Sequence, residues 1–310
     1  MVVTHNRVDD LRICLDALRG QTCPLLDVVV VDNASTDDTA DFLARQQDIT
    51  VVRLSHNGGG AGGFKAGMDA ASATSATWWW LMDDDCVPSS DALEQLLSVA
   101  AAAANGSDVA GVMPMVIWGG EERVCGYIRA TDLPDDERDA GPFLGLLLLR
   151  DACASIAPIR EDFVIWGDDT DYCLRLRMNG WRFLAAPDAC VEHPRLPLEM
   201  FGIARWRFPV NVAPPWKQYY GARNSLLTNM LTRKSPVAAP APRGGWLARE
   251  LLDYVALVLM DRRQGPQRVA MRLYGRLDAL RGRTGFTVVP GQVLPVHRGR
   301  GPRLRARSSP

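Results

Sequence analysis

The chain has 310 residues, 47% hydrophobic and 23% charged, values ordinary for a globular protein with a sizeable core and room for one large domain with an appendage, or for two. No apolar run approaches the roughly 18 residues of a spanning helix, and the seven cysteines are odd in number, scattered and without a C-x-x-C pair, so neither a zinc ribbon nor a disulfide framework is indicated. The net charge of −1 hides an asymmetry: residues 1–200 carry 15 Lys/Arg against 32 Asp/Glu (−17), and residues 201–310 carry 20 against 4 (+16), so the second part is suited to face something anionic.

The first hundred residues alternate short β-rich runs with helical patterns, which predicts βαβ units and a mainly parallel sheet, an α/β fold. The chain opens on MVVTHNR with no signal-peptide pattern, and Met1–Thr4 holds only the end of a strand, as if a few residues were missing from the start. A helix follows with Leu11, Cys14, Leu15 and Leu18 on one face. DVVVVDNASTDDT then reads as a strand over Val28–Val31, an acidic turn and a helix that Ser35 could cap. Further strands are expected at Thr50–Leu54 and Thr77–Met82. Ser90 is placed to cap a helix with Leu93, Leu96, Leu97 and Ala100 inward, and a strand is expected at Val109–Ile117. Thr131–Ala140 reads as a mobile charged loop. A helix should start near Asp168 and stop at Asn179-Gly180. SPVAAPAPRGG (Ser235–Gly245) reads as a linker, two helices follow it, and the Arg-rich end from Arg298 reads as disordered.

Several strand ends carry groups able to do chemistry. WWWLMDDDCVP sets Asp83, Asp84 and Asp85 after an apolar strand; in extended backbone Asp83 and Asp85 share a face, and such a pair can hold Mg²⁺ or Mn²⁺ through hard oxygens. A solvated acidic turn is the plain alternative. Thr4 and Asp32 also stand at strand ends, where ligands bind in open α/β sheets, although Asp32 alone reads best as a turn residue. Gly58, Gly60 and Gly63 satisfy G-x-G-x-x-G, which would make an NAD(P)-binding oxidoreductase. Against that, two βα units precede the motif and the acid after it is a triplet. In WGDDTD, Asp168 or Asp169 lies at a helix N-terminus, where an ionised carboxylate could take a proton from a hydroxyl, or simply cap the helix. Trp166 offers a flat apolar face that suits a sugar or the core. His193 in VEHP gains interest only if it meets Asp85 in space.

Taken together, VVTHNR, VVVDNASTDDT, NGGGAGGFKAG, WWWLMDDD and WGDDTDYCLRLRMNGW…EHP resemble the family 2 glycosyltransferases of GT-A fold, from Val2 to about Arg223. The glycine run, the triple Asp and YYGARN (Tyr219–Asn224) look most like the bacterial galactofuranosyltransferases, with rhamnosyltransferases next. The resemblance implies a GT-A catalytic domain over residues 1–215, a basic helical region over 216–297 and a tail over 298–310. It implies that Thr4, Arg7, Asp32, Asn57, Gly60, Gly63 and Asp84 serve the nucleotide sugar, and that Asp83, Asp85 and His193 hold Mn²⁺ or Mg²⁺. Asp169 would be the general base, Asp168 a contact to acceptor or donor sugar, and Trp166 part of the acceptor platform. The implied reaction is an inverting transfer, of galactofuranose from its UDP donor or of rhamnose from dTDP-rhamnose, to a polyprenyl-linked glycan. The implied place is the inner face of the cytoplasmic membrane, with the basic region on anionic lipid; a helical subdomain or a homo-oligomer contact is the plain alternative. No aromatic-plus-basic module points to nucleic acid. A family-like domain without activity, serving as a binding module, is the reading of another class.

Overall fold

The computed structural model describes residues 1–103, 108–126, 136–194, 198–203, 206–232 and 246–289. The chain forms two compact units, one of residues 1–161 and 168–196 and the other of residues 162–167 and 197–310. The segments 235–245 and 298–310, read from sequence as linker and disordered tail, lie outside the described residues, as does the first half (131–135) of the expected loop at 131–140.

The first unit runs β1 (Val2–Thr4), α1 (Val8–Arg19), β2 (Val29–Asp32), α2 (Thr39–Leu43), β3 (Thr50–Arg53), α3 (Gly59–Ser72), β4 (Trp78–Asp83), β5 (Val87–Pro88) and α4 (Ala92–Ala102). It continues through β6 (Val109–Trp118), β7 (Glu122–Val124), β8 (Glu137–Arg138), β9 (Leu146–Leu149), α5 (Arg150–Ala154), α6 (Asp168–Met178) and β10 (Arg182–His193). The strands form one sheet in the order β3-β2-β1-β4-β9-β6-β10-β5, with β7 on β6 and β8 on β10. The β3-β2-β1-β4 half is wholly parallel, as is the long β6–β10 pair, and β9 runs antiparallel between them. This is the α/β architecture expected.

The elements form for legible reasons. The α1 stripe Leu11, Cys14, Leu15 and Leu18 is buried as its 3–4 spacing requires. The continuous apolar runs of β2 and β4 fit strands covered on both faces. Two capping expectations fail. Helix α2 begins at Thr39, after Asp38, and Ser35 instead accepts a hydrogen bond from the Asn6 amide (3.0 Å). Helix α4 begins after Asp91, while the Ser90 carbonyl accepts from the Thr22 amide (2.8 Å). The Ser35 hydroxyl is drawn into a tertiary bond that local propensity does not foresee, and at α4 the cap position falls one residue later, on Asp91. Part of the loop expected at Thr131–Ala140 is ordered as β8, held by Glu137 against Arg182 (2.9 Å).

Glycine lets α3 approach the sheet. A Cβ on Gly63 would stand 2.4 Å from Cγ1 of Val3, and one on Gly67 would meet the Met1 side chain. The run read as a glycine loop is therefore mainly helix, with Gly60 and Gly63 inside α3.

The second unit contains a hairpin, β11 (Leu198–Ile203) with β12 (Trp206–Asn211), and helices α7 (Pro215–Thr232), α8 (Trp246–Met260) and α9 (Gly265–Leu280). Its core holds Val164, Tyr219, Tyr220, Met271 and Val288 in one cluster and Val210, Ala256 and Leu257 in another. Helix α9 crosses α7 closely because Gly275 has no Cβ; one would stand 2.3 Å from the Tyr219 carbonyl oxygen.

Candidate active site

The carboxyl ends of β1, β2, β4 and β10 carry Thr4, Asp32, the Asp83–Asp85 triplet and His193. Strand β4 ends at Asp83, and Asp84 and Asp85 turn out of it, with the Cys86 amide bonded back to the Asp83 carbonyl (3.3 Å). Asp83 and Asp85 are thus brought together by a turn and not by the extended backbone expected. The chain then doubles back as β5, pairing Val87 with Glu192 and Pro88 with Val191. That register delivers the end of β10 beside the turn, so that His193 Nε2 stands 3.0 Å from Asp85 Oδ1.

Asp83, Asp85 and His193 each present a ligand atom, all within 4.8 Å of one another, and among the described residues they are the one group of His, Cys, Asp or Glu so arranged. Two carboxylate oxygens and an imidazole nitrogen suit Mn²⁺ or Mg²⁺, and neither thiolate nor a second imidazole is present to favour zinc. The electrostatics fit a cation as well. Burial, reinforced by the charges of Asp85 and Asp84, raises the Asp83 carboxyl well above its usual range. Burial also works to raise Asp85, but His193 and Arg7 outweigh it and hold that carboxyl at about 2. For His193, burial opposes protonation while Asp85 favours it, and the net shift is upward. Negative charge concentrated in a half-buried turn is the field a divalent cation relieves.

Asp84 faces the other way. It is 4% exposed and accepts from Thr4 Oγ1 (2.7 Å) and from the His5 amide (3.4 Å), with the Arg7 guanidinium 3.6 Å away. Burial lifts it to about 6, with the Thr4 hydrogen bond and Arg7 opposing. Arg7 itself is bonded to Asp85, and although burial weakens its basicity the two carboxylates raise it overall. Asp32 is buried and accepts from the Ser35 amide (2.8 Å), with Arg53 at 3.5 Å. Asn57 is exposed and accepts from the Gly59 amide (2.8 Å).

The two glycines named from sequence differ. Gly60 has open space where a Cβ would be, whereas Gly63 is buried on Val3 and has a packing role. One residue was missed by sequence reasoning: Asn33, 3% exposed, accepts from the Gly58 amide (2.8 Å) and donates to the Gly59 carbonyl (2.8 Å), fixing Gly59 at φ +71°. Its position directly after Asp32 at a strand end was the available signal.

At the start of α6, Asp168 is buried and Asp169 half-buried. Burial first, then the charge of Asp169, pushes the Asp168 carboxyl well above its usual value. Asp169 accepts from the Thr170 amide. Asp171, also in the first turn, is fully buried and accepts from Arg175 Nε (2.8 Å), an ordinary i,i+4 helix pair. In the second unit, Trp166 has φ +62° and its ring lies against Gly221 of α7, with Lys217 Nζ 5.8 Å from the ring centre.

Solved structures share this fold at low identity. A mannosyltransferase from Pyrobaculum calidifontis, PcManGT, solved with GDP-Man and Mn²⁺, superposes with a TM-score of 0.55 at 16% identity, covering 90% of this chain and 85% of that one. Residues 1–349 of S. aureus TarS, solved with UDP, give 0.54 at 14% identity over 91% of this chain and 87% of that one. GalNAc-T7, solved with UDP, GalNAc and Mn²⁺, gives 0.55 at 13% identity, over 80% of this chain and 52% of that one. No curated protein sequence matches the chain. The glycosyl transferase family 2 model matches residues 1–162, just over half of the 310 residues and the part that carries the acidic turn. The chain therefore belongs to glycosyl transferase family 2.

Proposed function

We propose that the protein is an inverting, metal-dependent glycosyltransferase that moves galactofuranose from UDP-galactofuranose to a hydroxyl of a polyprenyl-linked cell-wall glycan. The observation that carries this reading is the Asp83–Asp85–His193 cluster at the strand ends of a family 2 chain. Similar folds solved with GDP-Man or UDP support a nucleotide-sugar donor.

In this reading Asp83, Asp85 and His193 hold Mn²⁺ or Mg²⁺, which when bound supplies positive charge to the departing diphosphate. Thr4, Arg7, Asp32, Asn57 and Gly60 serve the base, ribose and diphosphate, and Asp84 shapes that pocket through Thr4. Asp169, in the first turn of α6, takes the proton of the acceptor hydroxyl. That oxygen forms its bond to the anomeric carbon as the bond from that carbon to the diphosphate breaks, and the nucleoside diphosphate leaves. A single displacement needs one base and no covalent nucleophile, and it inverts the anomeric centre. Asp168, with its carboxyl pushed up, is suited to a hydrogen bond with a sugar hydroxyl. Trp166 supplies a flat face to the acceptor sugar.

The basic second unit fits a site on anionic lipid at the inner face of the cytoplasmic membrane. Among the described residues no helix is long and apolar enough to cross a membrane. Helix α8, however, exposes Leu251 (55%), Leu252, Val255 and Leu259 (56%), and α9 exposes Leu273, Leu277 and Leu280 among arginines. Flotation with liposomes of increasing anionic lipid content tests this; association insensitive to both lipid charge and salt would reject it.

The donor is decided by titration calorimetry with UDP, dTDP, GDP and NADH, each with Mn²⁺ and with excess chelator. Metal-dependent UDP binding is expected. Preference for dTDP would move the reading to rhamnose transfer from dTDP-rhamnose, and chelator-insensitive NADH binding would overturn the role given to the acidic turn.

A further inference from the structure

The motif YYGARN, which the proposed chemistry leaves without a task, is accounted for by the residues it touches within the second unit. The segment ahead of α6 is strained: Val164, a β-branched residue, has φ +69°, Trp166 has φ +62° and Gly167 has φ +87°. L-residues hold such angles only where the surroundings over-determine them. Here the surroundings are one face of α7. The Asn224 side-chain amide, fully buried, lies 2.8 Å from the Phe163 carbonyl, 3.1 Å from that of Ile165 and 2.7 Å from that of Trp166. Arg223, also fully buried, donates to the carbonyls of Asp162 (2.8 Å), Phe163 (3.1 Å) and Gly285 (2.7 Å), and its Nε donates to Asn224 Oδ1 (2.9 Å). That last bond fixes which end of the Asn224 amide points at the strained turn. Gly221, one turn before Asn224, completes the seat: a Cβ there would stand 3.0 Å from Cε3 of Trp166.

We infer that Gly221 and Asn224 are positioning residues for acceptor binding: Asn224 locks the backbone of the 163–166 turn, and Gly221 supplies the surface that sets the Trp166 ring. Arg223 is the buried brace that orients Asn224. The inference rests on the acceptor role proposed for Trp166, and its two parts are separable by experiment. The motif thus acts through Trp166 and touches no reacting atom.

The test uses the full chain labelled with 5-fluorotryptophan, the Trp166 resonance being assigned by its loss in Trp166→Phe. Two variants are compared, since Asn224→Ala opens a buried network whereas Gly221→Ala places a better helix former in α7 and should keep or raise Tm. Both should shift or broaden the Trp166 resonance in the absence of substrate. Both should raise KM at least fivefold for octyl β-galactofuranoside as acceptor, with kcat and the Kd for UDP with Mn²⁺ changed less than twofold. A variant that merely weakened the fold would lower Tm and active fraction without this split. An unmoved Trp166 resonance in both variants overturns the positioning role, whether or not the probe is turned over. If Trp166→Ala leaves acceptor KM unchanged, the platform reading itself fails. If Trp166→Ala raises KM while Gly221→Ala with a shifted resonance does not, the platform stands and the role of Gly221 falls.

Discussion

Replacing Gly63 and Gly60 separately by alanine distinguishes helix packing from donor binding along the glycine run. Both lie in α3, so alanine gains up to about 1 kcal/mol of helix propensity at each, less at Gly60 in the first turn. At Gly63 the new methyl would stand 2.4 Å from Cγ1 of Val3, which is 6% exposed and paired with Val31 on one side and Asp83 on the other. Val3 is β-branched and has little rotamer freedom, so the strand or the helix must move, an overpacking cost of ~1–3 kcal/mol. The Gly63→Ala protein should therefore be destabilised by about 1 kcal/mol net, relative to the parent and to a nearly neutral Gly60→Ala. For a domain of this size that gap is ~2–4 °C in Tm. Thermal unfolding followed by circular dichroism measures it. Gly60→Ala, with open space around its new methyl, should keep its Tm and lose affinity for UDP with Mn²⁺ in calorimetry. A Gly63→Ala protein as stable as Gly60→Ala would refute the close α3–β1 packing, and undiminished nucleotide binding by Gly60→Ala would remove Gly60 from the donor pocket.

Asp169→Asn should bind UDP with Mn²⁺ like the parent and lose turnover by ~10²–10⁴-fold, the usual worth of a general base; substantial residual turnover would reassign the base. His193→Ala should weaken Mn²⁺ affinity at least tenfold, by analogy with the ~10–100-fold losses from disturbing a metal's supporting residues; an unchanged Mn²⁺ titration would leave His193 a structural partner of Asp85. Thr4→Val removes the hydroxyl that donates to Asp84 and leaves that carboxylate short of one hydrogen bond, which should lower stability by ~1–3 kcal/mol in urea denaturation. No loss of stability there would mean that the Thr4–Asp84 bond does not tie β1 to the acidic turn.

The sequence made the framework legible where periodicity and strand-end chemistry agree. The α1 stripe, the β2 and β4 runs and the α6 stop at Gly180, with φ +88°, follow from local rules that tertiary contacts leave intact. The proximity of Asp83, Asp85 and His193 was legible only as a conditional, because it depends on β5 pairing with β10 across about a hundred residues, and a two-residue strand leaves little trace in composition. The turn at Val164–Gly167 was illegible for a different reason. Valine and tryptophan are among the last residues expected at positive φ, and the groups that hold them there, Arg223 and Asn224, lie some sixty residues away. The β11–β12 hairpin was missed as well. It carries a proline at Pro209, which reads against a strand, though a two-stranded hairpin tolerates one where no ladder donor is required.

Three adjacent carboxylates would be an unstable choice for binding alone, since each raises the proton affinity of its neighbours. The turn resolves this by giving them different partners. Asp84 points back into the fold, where Thr4 and the His5 amide fasten the end of β1 to the end of β4. That bond fixes the turn from behind, while burial of the carboxylate costs it solvation and lifts it to about 6 against the opposing pull of Thr4 and Arg7. Asp85 goes to Arg7 and His193 and stays ionised. Asp83 is left at the strand end with burial and two like charges against it. The middle residue therefore holds the loop, Asp85 keeps its charge, and Asp83, its carboxyl pushed up, is the one that a nearby cation would return to the ionised form. If Asp83, Asp85 and His193 hold the cation as proposed, Asp84→Asn should weaken Mn²⁺ binding in calorimetry through geometry alone, and an unchanged Mn²⁺ titration would refute this division of labour.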